Sequence, residues 1–198
     1  AAAPAQGERV LDVACGTGNL AIPAATAGMV SGQRAFSVMK INGATGAELW
    51  RKAFDGPNGN SVSRRVAFDA SGDVIAGGAL STRMAVYKLH GSNGNLVWSF
   101  IDDGLGSLEG DAFALTLGAD GAAYVAGYTV FTGEPARASI QGFTLAPQGA
   151  GFKLGEDKSV ESGILATGVK FGPDGALYVA DWIEGWDPKE RGRIWKID

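Results

Sequence analysis

Several residue types that would point to particular classes of protein are scarce in this sequence. Its 198 residues include one cysteine (Cys15), one histidine (His90) and only 19% charged residues. A single cysteine excludes an internal disulfide and a cysteine-rich metal site. The formal net charge of -4 argues against nucleic acid or an anionic membrane surface as a partner, because both favour basic patches.

Long apolar runs are also missing. The longest, residues 20–30, is too short to span a bilayer and contains Pro23 and Gly28. Residues 1–8 carry no basic stretch, so we expect neither a membrane span nor an intact signal peptide. Glycine is abundant, with 31 residues. This is roughly twice the usual share of about 7%, and it favours many short strands joined by tight turns.

One type of segment recurs with glycine and tryptophan at fixed places. It reads INGATGAELW at 41–50 and LHGSNGNLVW at 89–98, a spacing of 48 residues. A weaker copy lies at 143–152, and the start of a fourth lies at 193–198. In this alignment Ile41, Leu89, Leu145 and Ile197 occupy equivalent positions.

A second type of segment lies between these copies. It reads VAFDASGDVIAGG at 66–78, LTLGADGAAYVAG at 115–127 and VKFGPDGALYVAD at 169–181. Apolar residues alternate around a central turn, which predicts a β-hairpin. The turn glycines are expected to adopt positive φ. They are Gly72, Gly121 and Gly175.

Two hairpins give four short strands in about 50 residues, the size of a β-propeller blade. We therefore predict an all-β fold, a small β-propeller of about four blades. Residues 1–32 are interpreted as an N-terminal segment, either a half blade or a Gly-rich strand and turn. The propeller repeats then occupy 33–198, divided at about 35–80, 81–137, 138–183 and a partial 184–198. Two arrangements stay open: a ring closed by pairing of the terminal strands, or three blades of a larger propeller.

The N-terminal residues 7–28, GERVLDVACGTGNLAIPAATAG, carry a Gly-rich turn after a short apolar run. They resemble motif I of class I S-adenosylmethionine-dependent methyltransferases. The resemblance implies that Asp12, Gly16 and Gly18 would hold that cofactor, since glycine lets the backbone approach a ligand closely. The acidic residue that this family places near the end of the next strand has no counterpart in 34–40.

The rest of the chain resembles two kinds of propeller. The K-[IL]-x-G-x-x-G-x-x-x-W pattern after Lys40 and Lys88 is similar to repeats of bacterial quinoprotein-like propellers. Residues 162–198 resemble the glucose/sorbosone dehydrogenase type, which implies pyrroloquinoline quinone with a histidine base and arginines around it. His90 lies on a repeat turn and does not match that motif. The resemblances point to different families, so the sequence reads as a mosaic. The sequence does not determine the compartment, although a periplasmic or secreted location is favoured.

The segments between the hairpins, 56–65, 102–112 and 154–163, are expected to share one rim of the propeller. An acidic arc beside a basic spot on that rim could bind a cation or a basic segment, with solvated surface charge as the alternative. The candidate binding residues are Asp102, Asp103, Glu109, Asp111, Glu156, Asp157, Arg64 and Arg65.

The tryptophans fall into two groups. Trp50 and Trp98 recur at the repeat interval, and we interpret them as packing between blades. Trp182, Trp186 and Trp195 cluster near the C-terminus, where they either hold a sugar by stacking or pack in the core. The turn aspartates lack the spacing of a calcium loop, so no metal site is expected.

No set of residues forms a catalytic motif. We therefore expect a non-catalytic propeller module for binding, scaffolding or assembly, without a cofactor. Its partner would be a protein or a small molecule such as a saccharide, and an open sheet edge would favour self-association. The alternatives are a fragment of a quinone-dependent sugar dehydrogenase and an S-adenosylmethionine-binding protein.

Overall fold

The chain folds into β-strands throughout its described part. The computed structural model describes residues 25–30, 33–42, 45–56, 59–102, 110–119, 121–128, 135–148, 151–183, 185–186 and 191–198. These residues form fourteen strands, one short 3-10 helix at Pro135–Arg137 and no α-helix. The predicted all-β class is thereby confirmed. Within the same residues, no helix has the length and hydrophobicity that a bilayer crossing requires.

The strands form four antiparallel sheets that follow one another along the chain. Sheet 1 consists of β1 (Ala25–Val30), β2 (Gln33–Ile41) and β3 (Glu48–Phe54). Sheet 2 consists of β4 (Val62–Phe68), β5 (Val74–Leu80), β6 (Arg83–Leu89) and β7 (Leu96–Ile101). Sheet 3 consists of β8 (Asp111–Leu117), β9 (Ala123–Tyr128), β10 (Ser139–Gln148) and β11 (Gly151–Ser162). Sheet 4 consists of β12 (Ala166–Phe171), β13 (Leu177–Asp181) and β14 (Arg193–Ile197).

The turns between the first two strands of sheets 2, 3 and 4 are built as the sequence predicts. Gly72, Gly121 and Gly175 have φ values of 80°, 79° and 82°. A Cβ atom at any of the three would meet open space, so the backbone conformation itself is what requires glycine.

Neighbouring sheets pack face to face, because successive residues of a strand point to opposite sides. Phe36 and Trp50 of sheet 1 pack on Val74 of sheet 2, and Trp98 of sheet 2 packs near Phe143 of sheet 3. The Trp50 indole also donates a hydrogen bond to the Gly91 carbonyl of sheet 2, at 3.0 Å. The predicted role of the two repeating tryptophans in packing between blades is confirmed.

The arrangement is that of a β-propeller, with the sheets as blades. The first strands of sheets 2, 3 and 4 lie side by side and line an open cavity of ≈ 500 Å³; they are β4, β8 and β12. The described sheets form an open arc of four: β14 pairs with β13 alone and β1 with β2 alone. A ring closed by the terminal strands is therefore not observed in this part of the chain.

The boundaries of the sheets differ from the boundaries of the predicted repeats. Sheet 2 begins at Val62 and sheet 3 at Asp111, inside the repeats placed at 35–80 and 81–137. The alignment of Leu145 was wrong by two residues. Ala123 pairs with Phe143 as Val74 pairs with Leu89, so Phe143 is the equivalent residue. A register shift between Phe143 and Leu145 displaces the rest of β10.

Candidate functional site

Polar and aromatic side chains come together where β4, β8 and β12 begin, which we call the upper end of the sheets. Two predicted rim residues meet there. The Arg64 side chain donates from Nε to Asp111 Oδ2 at 2.7 Å, and its Nη2 lies 2.6 Å from the same oxygen. The Asp111 side chain is almost completely buried, whereas a third of the Arg64 side chain is exposed.

Other predicted rim residues do not join this pair. Arg65 donates to the Arg64 carbonyl and lines the cavity between β4, β8 and β12, and Asp102 is partly buried directly after β7. Glu156 and Asp157 belong to β11, because the hairpin of β10 and β11 continues through 154–162 as paired strand. The segment 154–162, which was expected to be a loop, is therefore strand, and the binding role of Glu156 and Asp157 stays a prediction. The candidates outside the described residues are Asp12, Gly16, Gly18, Asp103 and Glu109.

The buried carboxylate of Asp111 is incompletely satisfied. Its Oδ1 atom has no hydrogen-bond partner within the described part of the chain. Burial raises the pKa of Asp111 above its ordinary value, and the hydrogen bond and charge of Arg64 oppose that rise. Burial and then the Asp111 charge also raise the pKa of Tyr128, whose backbone pairs with that of Asp111. A hydrogen-bond donor placed next to Oδ1 would therefore stabilise the Asp111 carboxylate.

An aromatic pocket of ≈ 290 Å³ opens beside this ion pair. It is lined by Phe113, Tyr128, Thr167, Trp182 and Trp186, and we call it the aromatic pocket. Phe113 and Tyr128 stack with ring centroids 4.2 Å apart, and Trp182 and Trp186 meet nearly at right angles at 4.9 Å. Tyr128 and Trp182 connect the two pairs at 6.5 Å. Trp186 is 64% exposed, so one wall of the pocket faces solvent.

The ion pair and the aromatic pocket share a contact. The Arg64 guanidinium lies over the Phe113 ring, 5.0 Å from its centroid, within the range of a cation–π interaction. A change at Asp111 would therefore reach the pocket through Arg64 and Phe113.

The turn after β13 positions Trp182 and Trp186. Asp181 Oδ1 accepts a hydrogen bond from the Ile183 amide at 2.8 Å, and Ile183 adopts a φ of 67°. A β-branched residue in the left-handed region is strained, and such strain concentrates at functional sites. The Trp182 amide donates to the Leu165 carbonyl at 3.0 Å, which fixes the start of the turn against sheet 4.

Trp195 separates from the other two tryptophans of the predicted cluster. Its indole donates to Asp181 Oδ2 at 2.9 Å, and the Arg193 guanidinium lies over its ring at 4.5 Å. Burial opposes the charge of Asp181, but hydrogen bonds from Trp195, Ile183 and Arg193 together lower its pKa. This second buried aspartate is fully paired, in contrast to Asp111.

Among the residues of the ion pair and the pocket, the sequence pointed to four and missed three. Those it pointed to are Arg64, Asp111, Trp182 and Trp186, and those it missed are Phe113, Tyr128 and Thr167. Phe113 and Thr167 stand at equivalent places near the starts of β8 and β12, and Tyr128 ends β9. The repeat alignment could have shown that Phe113 and Thr167 are equivalent. The sequence around the turn after β13 does not indicate that this turn folds back over them.

The residues required by a quinone-dependent dehydrogenase are not assembled at the aromatic pocket. His90 follows β6 in the turn at the opposite end of the sheets, with Nδ1 3.5 Å from Asp73. Among the described residues, no group of three His, Cys, Asp or Glu side chains could hold a metal ion. The methyltransferase pattern of strands alternating with helices is likewise absent from the described strands.

No protein-family model and no curated protein sequence matches the chain. Solved structures that are similar to it include the following three. An oxidoreductase (glucose dehydrogenase) from Thermus thermophilus is 17% identical, with a TM-score of 0.49 over 68% of this chain and 43% of that chain. A protein of unknown function from Bacteroides caccae is 14% identical, with a TM-score of 0.47 over 72% and 46%. A 6-phosphogluconolactonase from Bacteroides uniformis is 16% identical, with a TM-score of 0.45 over 84% and 49%. The matched part is less than half of each of those proteins.

Proposed function

We propose that this chain is a non-catalytic binding module that holds a saccharide in the aromatic pocket. The observation that carries the proposal is the right-angled pair of Trp182 and Trp186 beside Tyr128, with a buried ion pair next to them. Ligand pockets are mostly apolar and contain a few placed polar groups that fix orientation. The aromatic pocket has that composition.

A sugar ring fits this composition because its C–H faces stack on aromatic rings while its hydroxyls point outward. Tyr128 and Thr167 each bring a hydroxyl group to the lining. The volume of ≈ 290 Å³ lies just below the usual range for ligand pockets, about 300–1,000 Å³. We therefore assign one sugar ring, open to solvent on the side of Trp186.

Titration calorimetry with a panel of neutral mono- and disaccharides tests the proposal. We expect at least one of them to bind, and Trp186→Ala to weaken its affinity by about tenfold, the loss of one aromatic contact. Leu96→Ala is the control, because Leu96 is also largely exposed, at 51%, and lies on β7 outside the pocket. It should leave the affinity unchanged.

Two results would overturn the proposal. One is that no sugar of the panel binds at concentrations up to about 10 mM, which would detect even weak, millimolar binding. The other is catalysis: dye reduction with pyrroloquinoline quinone, calcium and a sugar would show an enzyme in place of a binding module.

A further inference from the structure

The first strands of sheets 2, 3 and 4 share an irregularity at the same place. Each pairs with the second strand of its sheet through a register shift, in which one residue of the first strand has no partner opposite. Each extra residue lies eight positions before the turn glycine of its sheet, so the three bulges are equivalent. The extra residues are Arg64, Phe113 and Thr167. A β-bulge changes the direction of a side chain and is frequent beside functional sites.

The three bulge residues come together at the upper end of the sheets. The Arg64 guanidinium lies 5.0 Å from the centroid of the Phe113 ring. Phe113 and Thr167 both line the aromatic pocket, and Thr167 also lines the cavity between β4, β8 and β12. The bulges therefore place an arginine, an aromatic ring and a hydroxyl group next to one another at one edge of the pocket.

Arg64 keeps part of its hydrogen-bonding capacity. Its Nε and Nη2 atoms both face a single oxygen of Asp111, Oδ2, at 2.7 and 2.6 Å. Its Nη1 atom has no hydrogen-bond partner within the described part of the chain, and a third of the side chain is exposed. Because a guanidinium group carries five N–H donors in a planar fork, Arg64 can pair with Asp111 and still donate to a ligand. The ion pair also holds the guanidinium in place beforehand, which reduces the entropy cost of binding.

The charges beside the pocket favour an anionic ligand. Burial raises the pKa of Tyr128, as does the charge of Asp111, whereas the charges of Arg64 and Arg65 lower that pKa. Two cations and one carboxylate therefore act on this residue of the pocket. A cage of aromatic rings for an alkylammonium ion would need the opposite balance of charge. The excess of one positive charge matches a ligand with one negative charge.

We propose that the saccharide of the aromatic pocket is acidic, a sugar ring with one carboxylate that Arg64 binds; the inference rests on the proposed function. A planar guanidinium matches the two oxygens of a carboxylate. A carboxylate carries one negative charge, whereas a phosphate group carries about 1.5 to 2 at pH 7, so a carboxylate fits the excess of one cation. A hexuronic acid differs from its neutral hexose only at one oxidised carbon, so both suit a pocket of the same size.

Titration calorimetry with matched pairs of sugars tests the inference. The pairs are glucose with glucuronate and galactose with galacturonate, at pH 7 and low salt. We expect at least one acid to bind about tenfold more tightly than its neutral partner, the gain from one charge-assisted contact. Glucose 6-phosphate is a further probe, which distinguishes a phosphate from a carboxylate.

A double variant separates the contact with Arg64 from the net charge of the chain. Arg64→Met together with Asp111→Asn removes one charge of each sign, so no buried charge is left unpaired. The preference for the acid should fall to within about twofold, while the affinity for the neutral sugar stays unchanged. Arg64→Lys is a second variant, which keeps a cation beside Asp111 but lacks the planar fork. It should reduce the preference to a few-fold.

Arg193→Met is the matched control. Arg193 also pairs with a buried aspartate, Asp181, and its guanidinium also lies over an aromatic ring, that of Trp195. None of these three residues lines the aromatic pocket. Asp181 keeps its hydrogen bonds from Ile183 and Trp195 in this variant. The preference for the acid should be unchanged, because the variant removes a positive charge that lies outside the site.

Four outcomes would overturn the inference. They are equal affinities within each pair of sugars, tighter binding of glucose 6-phosphate than of glucuronate, a preference for the acid that survives in both Arg64 variants, and loss of that preference in Arg193→Met. Equal affinities would leave the proposed saccharide site intact. If no sugar of either kind binds, the proposed function fails, and the inference fails with it.

Discussion

Lys88 offers a sharp test of how burial changes the strength of an ion pair. Its side chain is 3% exposed, and its Nζ lies 2.5 Å from Asp69 Oδ2 and 3.4 Å from Asp73 Oδ2. Replacing it by methionine keeps much of the volume but removes the cation between two carboxylates. Breaking a buried pair in this way costs about 3–5 kcal/mol of unfolding free energy. Because both carboxylates are partly open to water, we expect about 3 kcal/mol for Lys88→Met.

The chain supplies its own control. Lys196 occupies the equivalent position in sheet 4 and also pairs with two carboxylates, Asp174 at 3.2 Å and Asp198 at 3.1 Å. Its side chain is about half exposed, so water screens both pairs. Lys196→Met should change the stability little.

Urea unfolding at neutral pH measures both variants. In thermal unfolding, the same loss of about 3 kcal/mol corresponds, for a chain of this size, to a fall in Tm of about 6–12 °C. Equal losses of unfolding free energy for the two variants would show that burial does not determine how much these ion pairs stabilise the fold. An unchanged midpoint for Lys88→Met would refute the reasoning altogether.

Three further predictions concern the core, a turn and the upper end of the sheets. Phe143→Ala should cost about 3–5 kcal/mol, whereas Leu96→Ala should stay within about 0.5 kcal/mol; similar urea midpoints for the two would contradict this. Gly175→Ala should cost about 1–2 kcal/mol from its left-handed backbone alone, and a neutral effect would show that the turn tolerates a side chain. Burial raises the native pKa of Asp111 above its ordinary 3.8, so its proton binding favours folding below that pH, and this contribution is lost as the pH rises through the native pKa. The unfolding free energy of the original protein, relative to Asp111→Asn, should therefore fall from pH 4 upward in urea titrations, and a rise would reverse the sign of the argument.

The aromatic pocket shows why Phe113 and Thr167 were not predicted together with Trp186. The three are separated by about 20 to 50 residues along the chain, and no local period connects them. Phe113 and Thr167 are neighbours only because β8 and β12 lie side by side, and the turn at Ile183 brings Trp186 over them. The ion pair of Arg64 and Asp111 is another contact between sheets, from β4 to β8.

The sequence by itself determined the features that depend on residues close together along the chain. Alternating apolar residues and a glycine at the turn specify a hairpin locally, so the all-β class and the positive φ at Gly72, Gly121 and Gly175 followed from the sequence. The two repeating tryptophans were predictable for the same reason. Tertiary structure decided how the hairpins combine into sheets, because strand pairing depends on which edges meet. It also decided that 154–162 continue as β11 and that sheet 4 ends with Ile194 exposed, since both depend on packing partners distant in the chain.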